Sequence, residues 1–155
     1  MPVTIENRQR RVRVSARRLA ATGRRALRAL RRPRHEVSVA VVSDREMRRL
    51  HGRYLGNRRA TDVLAFDLSG PVGPRRLGEV VISADTAARQ ARALGVPVAL
   101  ELDLLLVHGL LHLAGYDDHD PRRARRMHRR ARVILSRGGR GRVPARLWQG
   151  LLPAP

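Results

Sequence analysis

Apolar residues recur along the chain in two rhythms, alternate positions and three-to-four spacing, and the switches between them mark out the elements. Val3-Thr4-Ile5 and Val12-Arg13-Val14 alternate over short stretches and predict strands. Between Ala16 and Arg31, Leu19, Ala20, Leu27 and Leu30 fall at helical spacing, with Pro33 as the stop. Glu36 to Val42 alternates at first and then becomes continuously apolar, which predicts a strand. Ser43-Asp44-Arg45-Glu46 has the form of a capping box and opens a helix through Met47, Leu50 and Tyr54. Asp62 to Phe66 predicts the next strand, Gly70 to Pro74 a turn, and Glu79 to Ile82 a hairpin partner or sheet neighbour. Ser83 or Asp85 then caps a helix carrying Ala88, Ala91 and Leu94 that stops at Gly95.

Val98 to Leu113 is strongly apolar and helical in length, so it is expected to be the central, most buried helix, ending at Gly115. Asp120-Pro121 opens a last helix with Met127, Ala131, Ile134 and Leu135 on its buried side and arginines opposite. Gly138-Gly139 ends it. The expected fold class is therefore α+β: a small mixed sheet of about four strands packed with about five helices. Residues 1–137 form one domain in this scheme, and 138–155 a basic tail containing Pro and Gly.

Composition narrows the picture. Aromatic residues make up 3% of the 155, so the core is built from Leu, Val, Ala and Ile. There is no cysteine, which excludes disulfides and thiolate metal sites. No run of about 18 apolar residues is present to span a membrane, and the N-terminus lacks the apolar middle of a secretory signal. A cytoplasmic protein with no membrane partner is expected. The formal net charge is +20, and every basic residue is Arg. An all-Arg composition is discounted as coding bias, but the distribution is not. Residues 1–34 hold 12 Arg and one acid, 35–120 hold 10 Arg and 12 acids, and 121–155 hold 11 Arg and none. Two basic ends flanking a nearly neutral middle favour a polyanion, with RNA and ribosomal RNA the leading partners and no role on DNA argued. Solvated helix faces and a basic tail are the plainer account of the same charge.

The candidate chemistry sits in His108-Gly109-Leu110-Leu111-His112-Leu113-Ala114-Gly115-Tyr116-Asp117-Asp118-His119. Side chains four apart on a helix share a face, so His108 and His112 can offer imidazole nitrogens to one ion. Gly115 can end the helix in a left-handed turn and bring the following polar groups back to that ion. In metzincin-like sites the third ligand stands three residues after the glycine, at Asp118, with His119 as the alternative. The general-base Glu of His-Glu-x-x-His proteases is replaced by Gly109, which argues against peptide cleavage and suits close approach of a backbone or substrate. Asp117 is available to orient a ligating His. His128, on an Arg-rich helix, is expected at the surface. Trp148, the single Trp, is either a stacking platform for a base or an anchor for the tail.

Three separated motifs give the segment a resemblance. Leu106 to Asp120, Ala60-Thr61-Asp62-Val63-Leu64-Ala65-Phe66 and Leu77-Gly78-Glu79-Val80-Val81-Ile82-Ser83 are similar, in order and spacing, to the hallmarks of the YbeY family of rRNA-maturation endoribonucleases. The likeness covers roughly residues 36–135. It implies a sheet backed by helices, one catalytic Zn2+ per chain, and single-strand-selective RNA cleavage. It further implies maturation of the 3′ end of small-subunit rRNA, ribosome quality control, and partnership with the small ribosomal subunit. Departures are visible. The third ligand is usually His where register places Asp118, and the arginine that often follows the aromatic before the Thr-Asp-Val strand is Leu55. Arg53, Arg58 and Arg59 are candidates for its phosphate-binding task. Ala65 and Asp67 replace the usual Ser and Pro, and the last helix is basic where relatives are commonly acidic.

The expected mechanism is metal-assisted phosphodiester hydrolysis, with Arg58 and Arg59 on adjacent phosphates and Asp62 handling a proton or supporting a ligand. Two other readings compete with it. One is a ribosome- or RNA-binding factor with a structural metal and little catalysis, and the other is a metal-dependent hydrolase of a different substrate.

Overall fold

The structure is a computed structural model and describes residues 2–54, 63–67, 76–137 and 143–150. The elements follow in the order β1 (Val3–Asn7), α1 (Ala16–Ala29), β2 (Glu36–Val42), α2 (Asp44–Tyr54), β3 (Val63–Asp67), β4 (Arg76–Ser83), α3 (Ala84–Leu94), α4 (Val98–Leu113), α5 (Pro121–Ser136) and a 3-10 turn at Ala145–Gly150. The strands make one mixed sheet in the order β1-β2-β4-β3. β1, β2 and β4 run parallel, while β3 lies antiparallel to β4 with Leu64 opposite Val81. This is the expected α+β architecture.

The period of two along the central strands sorts side chains between two cores. Val37, Val39 and Val41 of β2, with Val80 and Ile82 of β4, join the large core shared with α1, α3, α4 and α5. The alternate residues Ala40, Val42 and Val81, with Leu64, form a smaller cluster with Met47 and Leu50 of α2. Both faces are covered, and this is why β2 turns continuously apolar after Val39. α4 lies inside the large core, and 11 of its 16 residues are buried. No single helix is long and apolar enough to cross a membrane; α3 and α4 meet at a bend of 119°.

Local signals set the helix ends. Ser15, Ser83 and Asp120 each accept a backbone N–H at the third residue beyond them, and Pro121 opens α5. Gly95 closes α3 in the left-handed conformation at φ 67°. The capping box at α2 is half formed. Ser43 Oγ accepts the Glu46 N–H, but the Glu46 carboxylate turns to Arg8 at 3.5 Å rather than back to Ser43.

Two expectations change. Val12–Val14 is not a strand: the Gln9 side chain brackets Val12, donating to its carbonyl and accepting its N–H, both at 2.9 Å. That bracket replaces ladder bonds, and both valines pack on the core from a loop. His128 is not at the surface but 8% exposed. In the C-terminal segment Leu147 is fully buried and Trp148 packs beside it, with Arg132 5.4 Å above the indole ring. The Gly70–Pro74 turn and Gly138-Gly139 lie outside the described residues.

Candidate metal centre

α4 delivers its two histidines in register. His108 Nε2 and His112 Nε2 are 3.1 Å apart, with ring centroids 4.7 Å apart and planes at 80°. Two nitrogens bound at about 2.0–2.1 Å to one tetrahedral ion would be separated by about 3.3 Å, so the pair is spaced for a shared cation.

The chain then doubles back. The Tyr116 N–H donates to the Leu111 carbonyl at 3.0 Å and the Gly115 N–H to the His112 carbonyl at 3.1 Å, the paired bonds of a Schellman motif. Gly115 holds φ 101°, a value that favours glycine. Two residues beyond the motif, Asp118 Oδ2 comes to 3.9 Å from His108 Nε2. Ligand atoms of His108, His112 and Asp118 all lie within 4.8 Å of one another, so the group can hold a metal ion. His119 is exposed and stands outside it.

Electrostatics favours the neutral imidazole needed for ligation. Burial, followed by the neighbouring His112, pushes the His108 pKa down to about 4 against the opposing pull of Asp118. Among the described residues the buried His108 Nδ1 has no hydrogen-bond partner, whereas ligating histidines usually donate that N–H to a carbonyl or carboxylate. Packing rather than a polar partner therefore fixes this ring. Asp117 does not supply the missing acceptor: its carboxylate pairs with Arg123 at 3.2 Å and accepts the His119 N–H.

Gly109 has a structural reason. A Cβ there would lie 2.7 Å from Val80 Cγ1 and 3.3 Å from Val63 Cγ2. The position next to the first histidine faces the sheet, so a side chain here would enter the core rather than reach a bound water.

The model of the family described as Endoribonuclease YbeY matches residues 4–139. The chain belongs to this family. Its relatives include an endoribonuclease YbeY from Anaeromyxobacter sp., 46% identical over 97% of this chain and 78% of that one. Another, from Geobacter metallireducens, is 42% identical over 88% of this chain and 95% of that one. Among solved structures, a Thermotoga maritima protein determined in solution superposes with a TM-score of 0.59 and 21% identity, covering 96% of this chain and 90% of that one. That likeness extends to the fold alone.

Within this YbeY chain, α4 and the turn after it bring together His108, His112 and Asp118. Asp62, Arg58 and Arg59 lie outside the described residues, as does Leu55. His128 is what the sequence reasoning missed. Its ring centroid is 6.5 Å from that of His108, and burial lowers its pKa, opposed by Asp118. The signal was available: Ala124, Met127, His128 and Ala131 recur at helical spacing and all face inward.

Proposed function

We propose that this YbeY protein is a zinc-dependent, single-strand-selective endoribonuclease that matures the 3′ end of small-subunit rRNA in the cytoplasm and serves ribosome quality control. The observation that carries the metal role is the 3.1 Å approach of two helix-borne imidazole nitrogens, with a carboxylate 3.9 Å from one of them. A zinc ion held by His108, His112 and Asp118 would polarise a phosphoryl oxygen and acidify bound water. The protein's own part is to keep His108 neutral by burial and to leave room at the ion. Among the described residues the group offers three donors rather than four, and Asp118 is on the exposed side. Closed structural zinc sites use four protein ligands, so this set suits a centre with a position left for water or substrate.

Arg58 and Arg59 are assigned to phosphates beside the scissile one, and Asp62 to proton handling. The support for RNA as substrate is the family and the two arginine-rich ends of the chain. The test is to quantify metal in purified protein and compare cleavage of single-stranded RNA by wild type, His112→Ala and Arg58→Ala/Arg59→Ala. Cleavage lost with the metal in His112→Ala, in a folded protein, supports the proposal. Metal-independent cleavage, or RNA binding with no metal-dependent cleavage by wild type, refutes it, the latter in favour of a binding factor with a structural ion.

A further inference from the structure

At the end of the two central strands, the carboxyl ends of β2 and β4 pair at Val42 and Ser83, and α2 and α3 begin there side by side. The two helix starts are clasped reciprocally. The Asp85 carboxylate accepts the Asp44 N–H at 2.9 Å. The Asp44 carboxylate accepts from Ser83 Oγ at 2.5 Å, Thr86 Oγ1 at 2.6 Å and Arg89 Nη1 at 2.6 Å. Burial raises the Asp44 pKa, but these bonds more than offset it and hold the carboxyl at about 2. Above the clasp opens a crevice of about 560 Å³ lined by Arg11, Arg45, Arg48 and Arg89 as well as both carboxylates. Arg89 is committed to Asp44. Arg11, Arg45 and Arg48 are exposed and make no hydrogen bond or ion pair with the described residues.

We propose that this crevice is a second RNA-binding site, which holds the backbone phosphates of a single strand whose scissile bond lies at the histidine pair. The inference rests on the RNA reading above and adds a place where the strand is held. Three guanidinium groups from the loop after β1 and from α2 converge on one concavity, and with Arg89 set against Asp44 they outnumber the remaining lining carboxylate, Asp85, by three to one. Planar forks of this kind match phosphate oxygens. In sheets with parallel strands, ligands bind in the crevice outside the carboxyl ends.

The site is separate from the metal centre. Gly109, next to His108, would bring a Cβ within 2.7 Å of Val80, midway along β4, and Leu113, next to His112, lies against Gly78 near its start, whereas the crevice lies at Ser83, its end. The three strand steps from Val80 to Ser83, at about 3.3 Å each, put at least roughly 10 Å between them, or about three nucleotides at a stacked-strand rise of 3.4 Å. A strand shorter than that cannot occupy both places.

The test measures binding by fluorescence anisotropy in a His112→Ala background, where RNA stays uncut, with probes of ~2 and ~20 nucleotides. The triple variant Arg11→Gln/Arg45→Gln/Arg48→Gln is compared with Arg17→Gln/Arg28→Gln/Arg34→Gln, which removes equal charge from exposed positions elsewhere. The crevice variant is expected to bind the long probe at least about ten-fold more weakly at low salt. It should also flatten the plot of log affinity against log salt by about 2, at about 0.7 per lost phosphate contact. In the otherwise wild-type holoenzyme, the same triple variant should leave kcat on the short RNA unchanged. Unchanged long-probe affinity overturns the inference and leaves the crevice to an acidic protein partner. An equal loss in the control variant overturns it too, by showing a net-charge effect. A parent protein that binds neither probe overturns this inference and the RNA reading together, whereas loss of cleavage alone leaves the binding result standing.

Discussion

Asp103 in the first half of α4 and His108 in the second are both buried ionisable groups on one apolar helix, and their surroundings differ in kind. Asp103 accepts from Thr22 Oγ1 and Arg18 Nη2, each at 3.0 Å. Burial still pushes its carboxyl pKa up, with Arg18 and Thr22 opposing. His108 faces another histidine across 3.1 Å, and its Nδ1 has no partner among the described residues. A buried polar group that α1 completes is there to dock two helices. At His108 it is Nε2, set against a second imidazole nitrogen and an exposed carboxylate, that can accommodate an external cation.

Five experiments would break or sharpen that contrast. The largest effect is expected from His112→Ala, which should remove bound metal and lower RNA cleavage by about 100-fold or more, with the thermal midpoint of the metal-free protein little changed. Metal analysis and single-turnover cleavage measure it. Asp103→Ala should do the reverse. It strands Thr22 and Arg18 and should cost about 2–3 kcal/mol in denaturant unfolding while metal content stays at the wild-type level. Retained stability would mean the ion pair does not dock α1 on α4.

Next comes Gly109→Val. The added methyl groups push into Val80 and Val63, so about 1–3 kcal/mol should be lost by overpacking. A variant that folds as stably as wild type would show that α4 can lift off the sheet. Asp118→Ala should weaken metal affinity by about 10–100-fold, against a smaller change for His119→Ala. The opposite order, read by competitive chelation, would move the third ligand one residue along.

The last experiment reads a pH dependence with opposite sign at the two places. In metal-free protein the unfolded chain protonates His108 near 6.5 and the folded chain only near 4. Stability from this group is therefore lost as pH falls from about 6.5 towards 4. The Asp103 carboxyl is raised in the folded state, so it takes up its proton there first and adds stability as pH falls towards 3.8. Thermal midpoints against pH should be flatter between pH 6.5 and 4 in His108→Leu than in wild type. An unchanged slope would mean the ring is not buried as a neutral group.

Much of this was legible in the sequence, because the determinants are local. The apolar run 98–113, the i, i+4 histidines and Gly115 specify a buried helix, a shared face and a turn without reference to anything distant. What escaped depended on partners far along the chain. Val12 and Val14 have strand-like alternation, but Gln9 captures the backbone bonds a strand would need. His128 was discounted for its arginine neighbours, although Met127 and Ala131 already marked its face as inward. Leu147 disappears into the core although its segment is basic and rich in proline, since a single apolar side chain is enough to dock a short turn.

The Schellman bend has one more consequence. His108, His112 and Asp118 span eleven consecutive residues of the chain, so closing the chelate costs little loop entropy and needs no element from the other half of the fold. Once α4 and its turn exist, all three donors exist. The donor set is therefore local, and a substitution outside α4 and its turn can reach it only through the packing that holds the helix in place.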